Sequence, residues 1–194
     1  RMMEILRQYG EVQGIDFSPD AVELARKRGT GKVIPGDLND HVFTSETFDV
    51  VVCLDVLYHN GIRDDLAIAG KFFSTLKENG ILILNLPAFE YLRRPHDLAV
   101  HTKKRYRRKC FSDELKKRGF TIHFSSYRMF LLYFVILISV LIRKRGKMNQ
   151  PDSDLKKIPG WLNKLLLFYG RAENLWLKKG WTLPAGSSLF IVAK

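Results

Sequence analysis

Two apolar runs separated by a helix-length segment constrain the fold of this chain most strongly. Residues 48–54 read Phe-Asp-Val-Val-Val-Cys-Leu, and residues 81–86 read Ile-Leu-Ile-Leu-Asn-Leu. Nearly continuous apolar strands rich in β-branched residues are typical of parallel sheets that are covered on both faces. Residues 62–76, between the two runs, have the apolar spacing of a helix. The three segments therefore predict a strand–helix–strand unit of an α/β protein.

The same alternation continues along the rest of the chain. The sequence predicts further helices at 2–9, 20–28 and 111–118, and further strands at 12–16, 32–34, 120–127 and 188–193. This order of elements indicates a doubly wound α/β sheet. At 194 residues the chain is long enough to bury a proper core, so we expect residues 1–194 to form a single domain.

The last two predicted strands are separated by about sixty residues, which is too many for a hairpin. We assign residues 129–182 to a helical insert that is both apolar and basic. Residues 129–142 are apolar except for Ser139, a basic run follows at 143–147, and a second helix is predicted at 161–179. The first of these helices is shorter than the roughly 20 residues that span a bilayer. A buried core helix is one interpretation, and peripheral contact with a membrane interface, indicated by the basic run and the tryptophans, is the one we favour.

Positive charge is concentrated in one part of the chain. The net charge is +12, and residues 93–118 contain eleven lysines and arginines but only three acidic residues. Such a field attracts phosphates in nucleic acids, anionic lipids or diphosphate-bearing substrates. The aromatic residues are not arranged as a stacking platform, so a nucleic acid is the least favoured of these partners. The two cysteines, Cys53 and Cys110, indicate neither a disulfide framework nor a zinc site, and we expect a cytoplasmic protein.

A carboxylate follows the first predicted strand of the sheet. The segment Gly14-Ile15-Asp16-Phe17-Ser18 ends this strand and leads into a helix. An acid at the carboxyl end of a parallel strand can accept both hydroxyls of a ribose, as in doubly wound sheets that hold adenosine cofactors. We therefore predict that Asp16 binds a nucleoside-bearing small molecule. A plain turn residue before Ser18-Pro19 is the alternative.

With the segment Cys53-Leu54-Asp55-Val56-Leu57-Tyr58-His59, the chain resembles the class I S-adenosylmethionine-dependent methyltransferases of the small-molecule type. Three more segments follow that family's order, namely Gly14-Ile15-Asp16-Phe17-Ser18, Gly36-Asp37-Leu38 and Gly80-Ile81-Leu82-Ile83-Leu84-Asn85. The resemblance covers residues 1 to about 127 and the final strand. It implies a Rossmann-like, mostly parallel sheet with an antiparallel last strand and the helical insert before it. It also implies S-adenosyl-L-methionine as the cofactor.

The resemblance further implies which residues line the cofactor site. In this family the acid of the first segment holds the ribose and the next residue borders the adenine, and the Asp of Gly36-Asp37-Leu38 commonly meets the adenine amino group. The residues that follow the next strand lie beneath the methionine part. The cofactor-binding residues predicted in this way are Asp16, Phe17, Ser18, Gly36, Asp37, Leu38, Leu54, Asp55, Val56 and Leu57. Turn formation by Asp37 and helix capping by Asp55 are the simpler interpretations. The family's glycine-rich loop is expected before Arg1, which indicates that the sequence is N-terminally shortened.

The segment from His96 to Tyr106 resembles a subgroup of these enzymes in which a His-Asp, a later His and an Arg-Tyr pair form a lid over the acceptor. Members of that subgroup are often associated with glycan or lipid-linked substrates. A histidine near neutral pKa can take the proton of an oxygen acceptor, so His59, His96 and His101 are the predicted catalytic residues. Arg105 and Tyr106 are predicted to bind the acceptor. A capping role is the alternative for His59.

Three other functions compatible with the sequence stay open at this point. An RNA methyltransferase would also use the basic region, and a nicotinamide-dependent oxidoreductase would also use Asp16. A catalytically inactive, membrane-associated scaffold could keep the fold without the chemistry. The sequence predicts neither the acceptor nor the oligomeric state.

Overall fold

The computed structural model describes residues 2–29, 31–142 and 159–194, and the chain divides into two compact units, 1–43 and 44–194. The first unit contains α1 (Met2–Leu6), β1 (Gln13–Asp16), α2 (Pro19–Lys27) and β2 (Lys32–Pro35). Strands β1 and β2 are parallel, with Asp16 opposite Pro35. The strand-then-helix order predicted for this part of the chain is therefore present.

Helix α2 begins where the sequence provides a cap. The Ser18 hydroxyl accepts a hydrogen bond from the backbone N–H of Ala21 at 3.3 Å, and Pro19 occupies the first helical turn. Serine at this position satisfies a backbone N–H that has no partner inside the helix, and proline there has no N–H to satisfy. The chain leaves the helix through Gly29, whose φ of 61° favours glycine. These residues fix the direction in which the chain leaves β1.

The second unit contains a four-stranded sheet. Its elements are β3 (Phe48–Leu54), α3 (Asp65–Thr75), β4 (Leu76–Pro87), α4 (Pro95–Ala99), α5 (Arg108–Lys116), β5 (Ile122–Arg128), α6 (Phe130–Ile142), α7 (Gly160–Lys178) and β6 (Ser188–Ala193). The strand order is β3-β4-β6-β5, with β3 parallel to β4 and β6 antiparallel to both of its neighbours. The predicted α/β class, with parallel strand pairs and an antiparallel last strand, is confirmed.

The core of the second unit lies on the central strands. Leu82, Leu84 and Leu86 of β4, together with Leu189 and Ile191 of β6, are completely inaccessible to solvent. These residues alternate along their strands, so they occupy one face of the sheet. Burying a leucine or isoleucine side chain contributes about 1.5–3 kcal/mol, so the five residues on this face contribute substantially to the stability of the unit.

Helix α3 and strand β4 differ from prediction at their junction. Asp64 caps the helix by accepting from the N–H groups of Leu66 and Ala67, at 2.9 and 3.0 Å. The predicted helix 62–76 ends at Thr75, and Asn79 and Gly80, which would suit a helix end, lie inside β4. Leu76 already pairs with Phe48, and the chain then bends at Asn79, whose φ is 69°. The asparagine therefore permits an irregularity in the strand and does not end the helix.

The predicted insert contains two helices, α6 and α7, within the described part of the chain. A buried glutamate of α7, Glu173, holds the beginning of α6: its carboxylate accepts from the N–H groups of Met129 and Phe130 at 2.7 and 3.0 Å. A negative charge is favourable at a helix N-terminus, where N–H groups lack partners. No helix in the described ranges is long and apolar enough to cross a membrane. The basic run 143–147 lies outside the described residues.

A buried ion pair fixes the chain between α4 and α5. The Arg105 guanidinium donates to Asp97 through Nε (2.8 Å to Oδ1) and Nη2 (3.1 Å to Oδ2), and through Nη1 to the carbonyl of Ala88 at 2.9 Å. The two side chains are only 6% and 2% exposed. Asp97 also accepts from the N–H of Arg94 at 2.7 Å, so both oxygens are satisfied. This pair connects α4 to the end of β4.

Replacement of Asp97 tests how much this ion pair contributes to the free energy of unfolding. Asp97→Ala leaves the Arg105 charge buried without its partner, which costs about 3–5 kcal/mol of unfolding free energy. The surface variant Asp113→Ala removes a carboxylate that pairs with Lys116 at 3.5 Å, and it should cost less than about 1 kcal/mol. Urea unfolding followed by circular dichroism measures both. Equal small losses in the two variants would contradict the role given to Asp97.

Candidate functional site

Each unit has polar residues at the carboxyl ends of its parallel strands, which is where open α/β sheets bind ligands. In the first unit Asp16 ends β1, and Gly36 and Asp37 follow β2. The N–H of Gly36 donates to the carbonyl of Asp16 at 3.0 Å, so the two predicted segments lie side by side. The structure thus brings together the Asp16 and Asp37 segments within one unit.

One oxygen of the Asp16 carboxylate accepts a hydrogen bond within the protein, and the other is available to a ligand. Its Oδ1 accepts from the N–H of Ser18 at 2.9 Å, which orients the group. Among residues 2–29 and 31–43, no hydrogen bond or ion pair engages Oδ2. An exposed carboxylate oriented in this way has free acceptor capacity for a pair of hydroxyls. Asp16 therefore fits the ribose of a nucleoside cofactor.

The other predicted residues of this edge differ in how open they are. Phe17 is 76% exposed, which leaves its ring free to border a flat ligand. Asp37 accepts at Oδ1 from the N–H and the side-chain amide of Asn39, at 2.8 and 2.7 Å, and so it also shapes a turn. Leu38 is half-buried, and Ser18 is engaged in capping α2. The turn interpretation of Asp37 and its predicted adenine contact are compatible, because its Oδ2 is not part of these bonds.

In the second unit the end of β3 is joined to the end of β4. The N–H of Asp55 donates to the carbonyl of Asn85 at 2.9 Å, and the Asn85 amide donates to Asp55 Oδ1 at 3.0 Å. Asp55 has a φ of 58°, so its backbone turns sharply as the strand ends. Protein atoms that shield the carboxyl group from water raise its pKa, and the Asn85 amide and the Arg128 charge oppose that rise. Sequence reasoning did not single out Asn85, although a polar residue in an otherwise apolar strand was the available signal.

The neighbours of Asp55 divide between core and surface. Leu57 is 1% exposed and belongs to the core, whereas Val56 is 37% exposed and Leu54 is half-buried. Of the residues predicted beneath the methionine part of the cofactor, Val56 and Asp55 therefore have the most accessible surface. Leu57 belongs to the core and offers almost no surface to a ligand.

The structure brings His59 and His101 together. Thr102 pairs with His59 in an antiparallel bridge, and the N–H of Asn60 donates to the carbonyl of His101 at 2.8 Å. The two imidazole rings meet edge to face with centroids 5.5 Å apart. His101 is exposed and has a φ of 54°, which is uncommon for a residue with a side chain. Two of the three predicted catalytic histidines therefore lie in one place within the second unit.

The hydrogen bonds of His59 assign its tautomer. The N–H of Gly61 donates to His59 Nδ1 at 3.1 Å, so Nδ1 is the acceptor nitrogen. In a neutral imidazole the proton is then on Nε2. His59 in this state donates from Nε2 and has no free lone pair with which to accept a proton. Of this histidine pair, His101 is the better candidate for a general base.

His96, Arg105 and Tyr106 are placed differently. His96 is half-buried in α4. Tyr106 is 4% exposed, and its hydroxyl donates to Asp65 at 2.9 Å. Burial and the Asp65 charge raise the pKa of Tyr106, which keeps it neutral. Because the side chains of Arg105 and Tyr106 are satisfied inside the protein, they explain how the 96–106 segment is held, and their contact with an acceptor stays a prediction.

An aromatic cluster follows β4 and was not found from the sequence. The Phe89 ring stacks on Tyr127 and Tyr91, with centroids 4.5 and 5.1 Å apart, and the hydroxyls of Tyr91 and Tyr133 are 3.0 Å apart. Partial burial and the Tyr133 hydroxyl raise the pKa of Tyr91 to about 12, so Tyr91 stays neutral. The four residues come from three segments, of which 89–91 is distant in sequence from Tyr127 and Tyr133, and no local spacing signals their contact.

The methyltransferase domain family model matches residues 1–84. Among solved structures, an S-adenosylmethionine-dependent methyltransferase of Mesorhizobium loti is similar over 99% of this chain and 84% of its own, with 12% identity and a TM-score of 0.65. A TehB-like S-adenosylmethionine-dependent methyltransferase of Corynebacterium glutamicum is similar over 100% and 73%, with 13% identity and a TM-score of 0.56. A Haloferax volcanii complex containing the methyltransferase activator Trm112 matches over 97% and 75%, with 14% identity and a TM-score of 0.60. No curated protein matches the chain.

At these identities the structural likeness is one of fold. Together with the family match, it confirms the predicted resemblance to class I S-adenosylmethionine-dependent methyltransferases. The cofactor that this family and these structures imply is S-adenosylmethionine, as predicted.

The raised pKa of Asp55 predicts how stability depends on pH. A carboxyl whose folded pKa lies above the ordinary 3.8 stabilises the fold below that pH, and this contribution is lost as pH rises through the folded pKa. Asp55→Asn removes the titration, and asparagine tolerates the positive φ. As pH rises from acidic to neutral, the free energy of unfolding of the variant should increase relative to that of the unmodified protein. Urea unfolding of both proteins at one acidic and one neutral pH measures this difference.

The control variant for that experiment is Asp49→Asn. A hydrogen bond from Lys77 lowers the pKa of Asp49, so removing this carboxyl should change stability with pH in the opposite direction. A pH-independent difference for Asp55→Asn would contradict the environment described for Asp55.

Proposed function

We propose that this protein transfers a methyl group from S-adenosylmethionine to an oxygen atom of a small or lipid- or glycan-linked acceptor. The observation that carries the proposal is Asp16, an exposed and oriented carboxylate at the end of a parallel strand with an oxygen not engaged by the described residues of its unit. Asp37 lies beside it. In this proposal Asp16 accepts the ribose hydroxyls, Phe17 borders the adenine, and Asp37 accepts from the adenine amino group.

The chemistry requires a base for the acceptor. When bound, S-adenosylmethionine supplies a methyl group on a positively charged sulfur. In our proposal His101 would accept the proton of the acceptor hydroxyl, which would free that oxygen to take the methyl group in place of the proton. The exposure of the His101 side chain supports this role.

His59 has a supporting role in this proposal. Its Nδ1 is engaged by Gly61, and its ring contacts the His101 ring edge to face. It therefore orients His101, or donates from Nε2 to an acceptor oxygen, without removing a proton itself. His96, the third predicted catalytic histidine, lies in α4, within the same 96–106 segment as His101.

We also propose that the insert makes peripheral contact with a membrane. Both insert helices have large apolar side chains open to solvent, including Val135, Ile138, Leu141 and Ile142 of α6 and Trp161, Leu165, Phe168 and Leu175 of α7. Exposed apolar surface on this scale is typical of interaction surfaces, and tryptophan favours the membrane interface. Such contact gives access to an acceptor whose tail remains in the bilayer.

Calorimetry with the Asp16→Ala variant tests the cofactor assignment. Loss of hydrogen bonds to a charged group should weaken S-adenosylmethionine binding about 10- to 100-fold. Asp20→Ala, which removes an exposed carboxylate from the first turn of α2, is the matched control and should bind as the unmodified protein does. Equal affinities in all three proteins would overturn the assignment of Asp16.

Methyl-transfer assays with the His101→Ala variant test the base. General-base removal typically costs about 10²- to 10⁴-fold in rate, whereas S-adenosylmethionine affinity should be unchanged. The assay follows labelled methyl groups into a panel of phenolic, quinol, glycolipid and RNA acceptors. His123→Ala, an exposed histidine on β5, is the control. Full activity of His101→Ala would exclude it as the base, and labelling of RNA alone would overturn the acceptor class.

A further inference from the structure

A cavity of about 640 Å³ lies between α7 and the β5–β6 part of the sheet in the second unit. Its apolar wall comes from Phe124 of β5, Phe190 of β6, and Leu175 and Leu177 of α7. The volume falls within the range of about 300–1,000 Å³ that is typical of small-molecule sites. A single phosphate group would leave most of this volume unfilled, and the apolar wall suits an occupant with an apolar part.

Three cations line the same cavity, and no carboxylate does among the described residues. They are Arg128 at the end of β5 and Arg171 and Lys178 of α7. Residues 171, 174, 175 and 178 are three, four and seven positions apart, so they share one face of α7. Cations therefore line both the strand side and the helix side of a cavity whose other lining residues are mainly apolar.

Arg128 is held in place, and most of its guanidinium donors are not engaged by the described residues. Its Nη2 donates to the Asn174 side chain at 2.9 Å, and its guanidinium lies over the Phe190 ring at 5.4 Å. Its Nε is buried and has no hydrogen-bond partner. The Nη1 group makes no hydrogen bond with the described residues, so the guanidinium keeps donors for an anionic oxygen.

The cavity adjoins residues that suit a bilayer surface. Leu175 is 62% exposed, and the Trp176 and Trp181 rings meet edge to face with centroids 4.2 Å apart. Lys179 lies over the Trp181 ring at 5.3 Å. Paired tryptophans beside a lysine are typical of the level at which lipid headgroups lie.

We propose that this cavity binds an anionic phospholipid, with the phosphate near Arg128, Arg171 and Lys178 and the upper acyl chain against Phe124 and Phe190. None of the cavity residues is assigned a role in methyl transfer, but the Arg128 charge also acts on Asp55, so the cavity lies near that edge of the sheet. The phospholipid proposal rests on the membrane contact proposed above. It adds that the contact is selective for anionic lipids. Nucleic acid fits less well, because the apolar wall would remain uncovered by a phosphate backbone.

The test is flotation of the full chain with vesicles of phosphatidylcholine alone or of phosphatidylcholine with phosphatidylglycerol. The double variant Arg171→Gln/Lys178→Gln removes two exposed cavity cations and keeps Arg128 with its partner. Lys109→Gln/Lys116→Gln removes the same charge from exposed positions of α5 that do not line the cavity. The cavity variant should lose about tenfold or more in binding to phosphatidylglycerol vesicles, and the α5 variant should not.

Each other outcome overturns the proposal in a distinct way. Equal losses in both double variants would indicate general charge attraction, and no loss in either would exclude the cavity. Full competition by millimolar inorganic phosphate would indicate a free-anion site. If Leu141→Glu/Ile142→Glu abolishes all vesicle binding while the cavity variant binds normally, the membrane contact stands and the lipid site falls. Cofactor calorimetry with Asp16→Ala is independent of all these outcomes.

Discussion

The parallel pairing of β3 with β4 is the constraint on which the second unit depends. It places Leu54 opposite Asn85, so the chain ends of the two strands meet and Asp55 is joined to Asn85 by two hydrogen bonds. The chain beyond β4 then returns to the loop beyond β3, where Thr102 pairs with His59. Without the β3–β4 register, neither the turn at Asp55 nor the contact between the two histidines would form.

Two kinds of polar residue lie near this edge, and they differ in how much freedom they have. Asp65, Asp97, Arg105 and Tyr106 are engaged inside the protein, and their contacts fix the segment that carries His101. His101 itself remains exposed. Fixed support beneath an accessible side chain suits the role of base that we propose for His101, because holding reactants in a fixed geometry lowers the barrier.

Much of the fold could be predicted from the sequence because its signals are local. The apolar runs of β3 and β4, the Ser18-Pro19 cap and the carboxylate of Asp16 all depend on neighbouring residues. The features that were missed depend on distant ones. The Arg105–Asp97 pair looked like part of a binding motif, since only burial distinguishes a structural arginine from a ligand-binding one. The Phe89 cluster joins rings from three segments, and the tautomer of His59 is set by a loop N–H whose direction no residue pattern reveals.

The attachment of α6 has a mechanical consequence. Glu173 and Tyr169 of α7 accept from the first N–H groups of α6, so the two helices share one anchored root, and α6 begins directly after the last residues of β5. A force applied to the C-terminal end of α6 would therefore be transmitted to β5, the outer strand of the sheet. Any surface that the insert contacts is therefore connected through these hydrogen bonds to β5, the strand that also lines the cavity for which we propose a phospholipid.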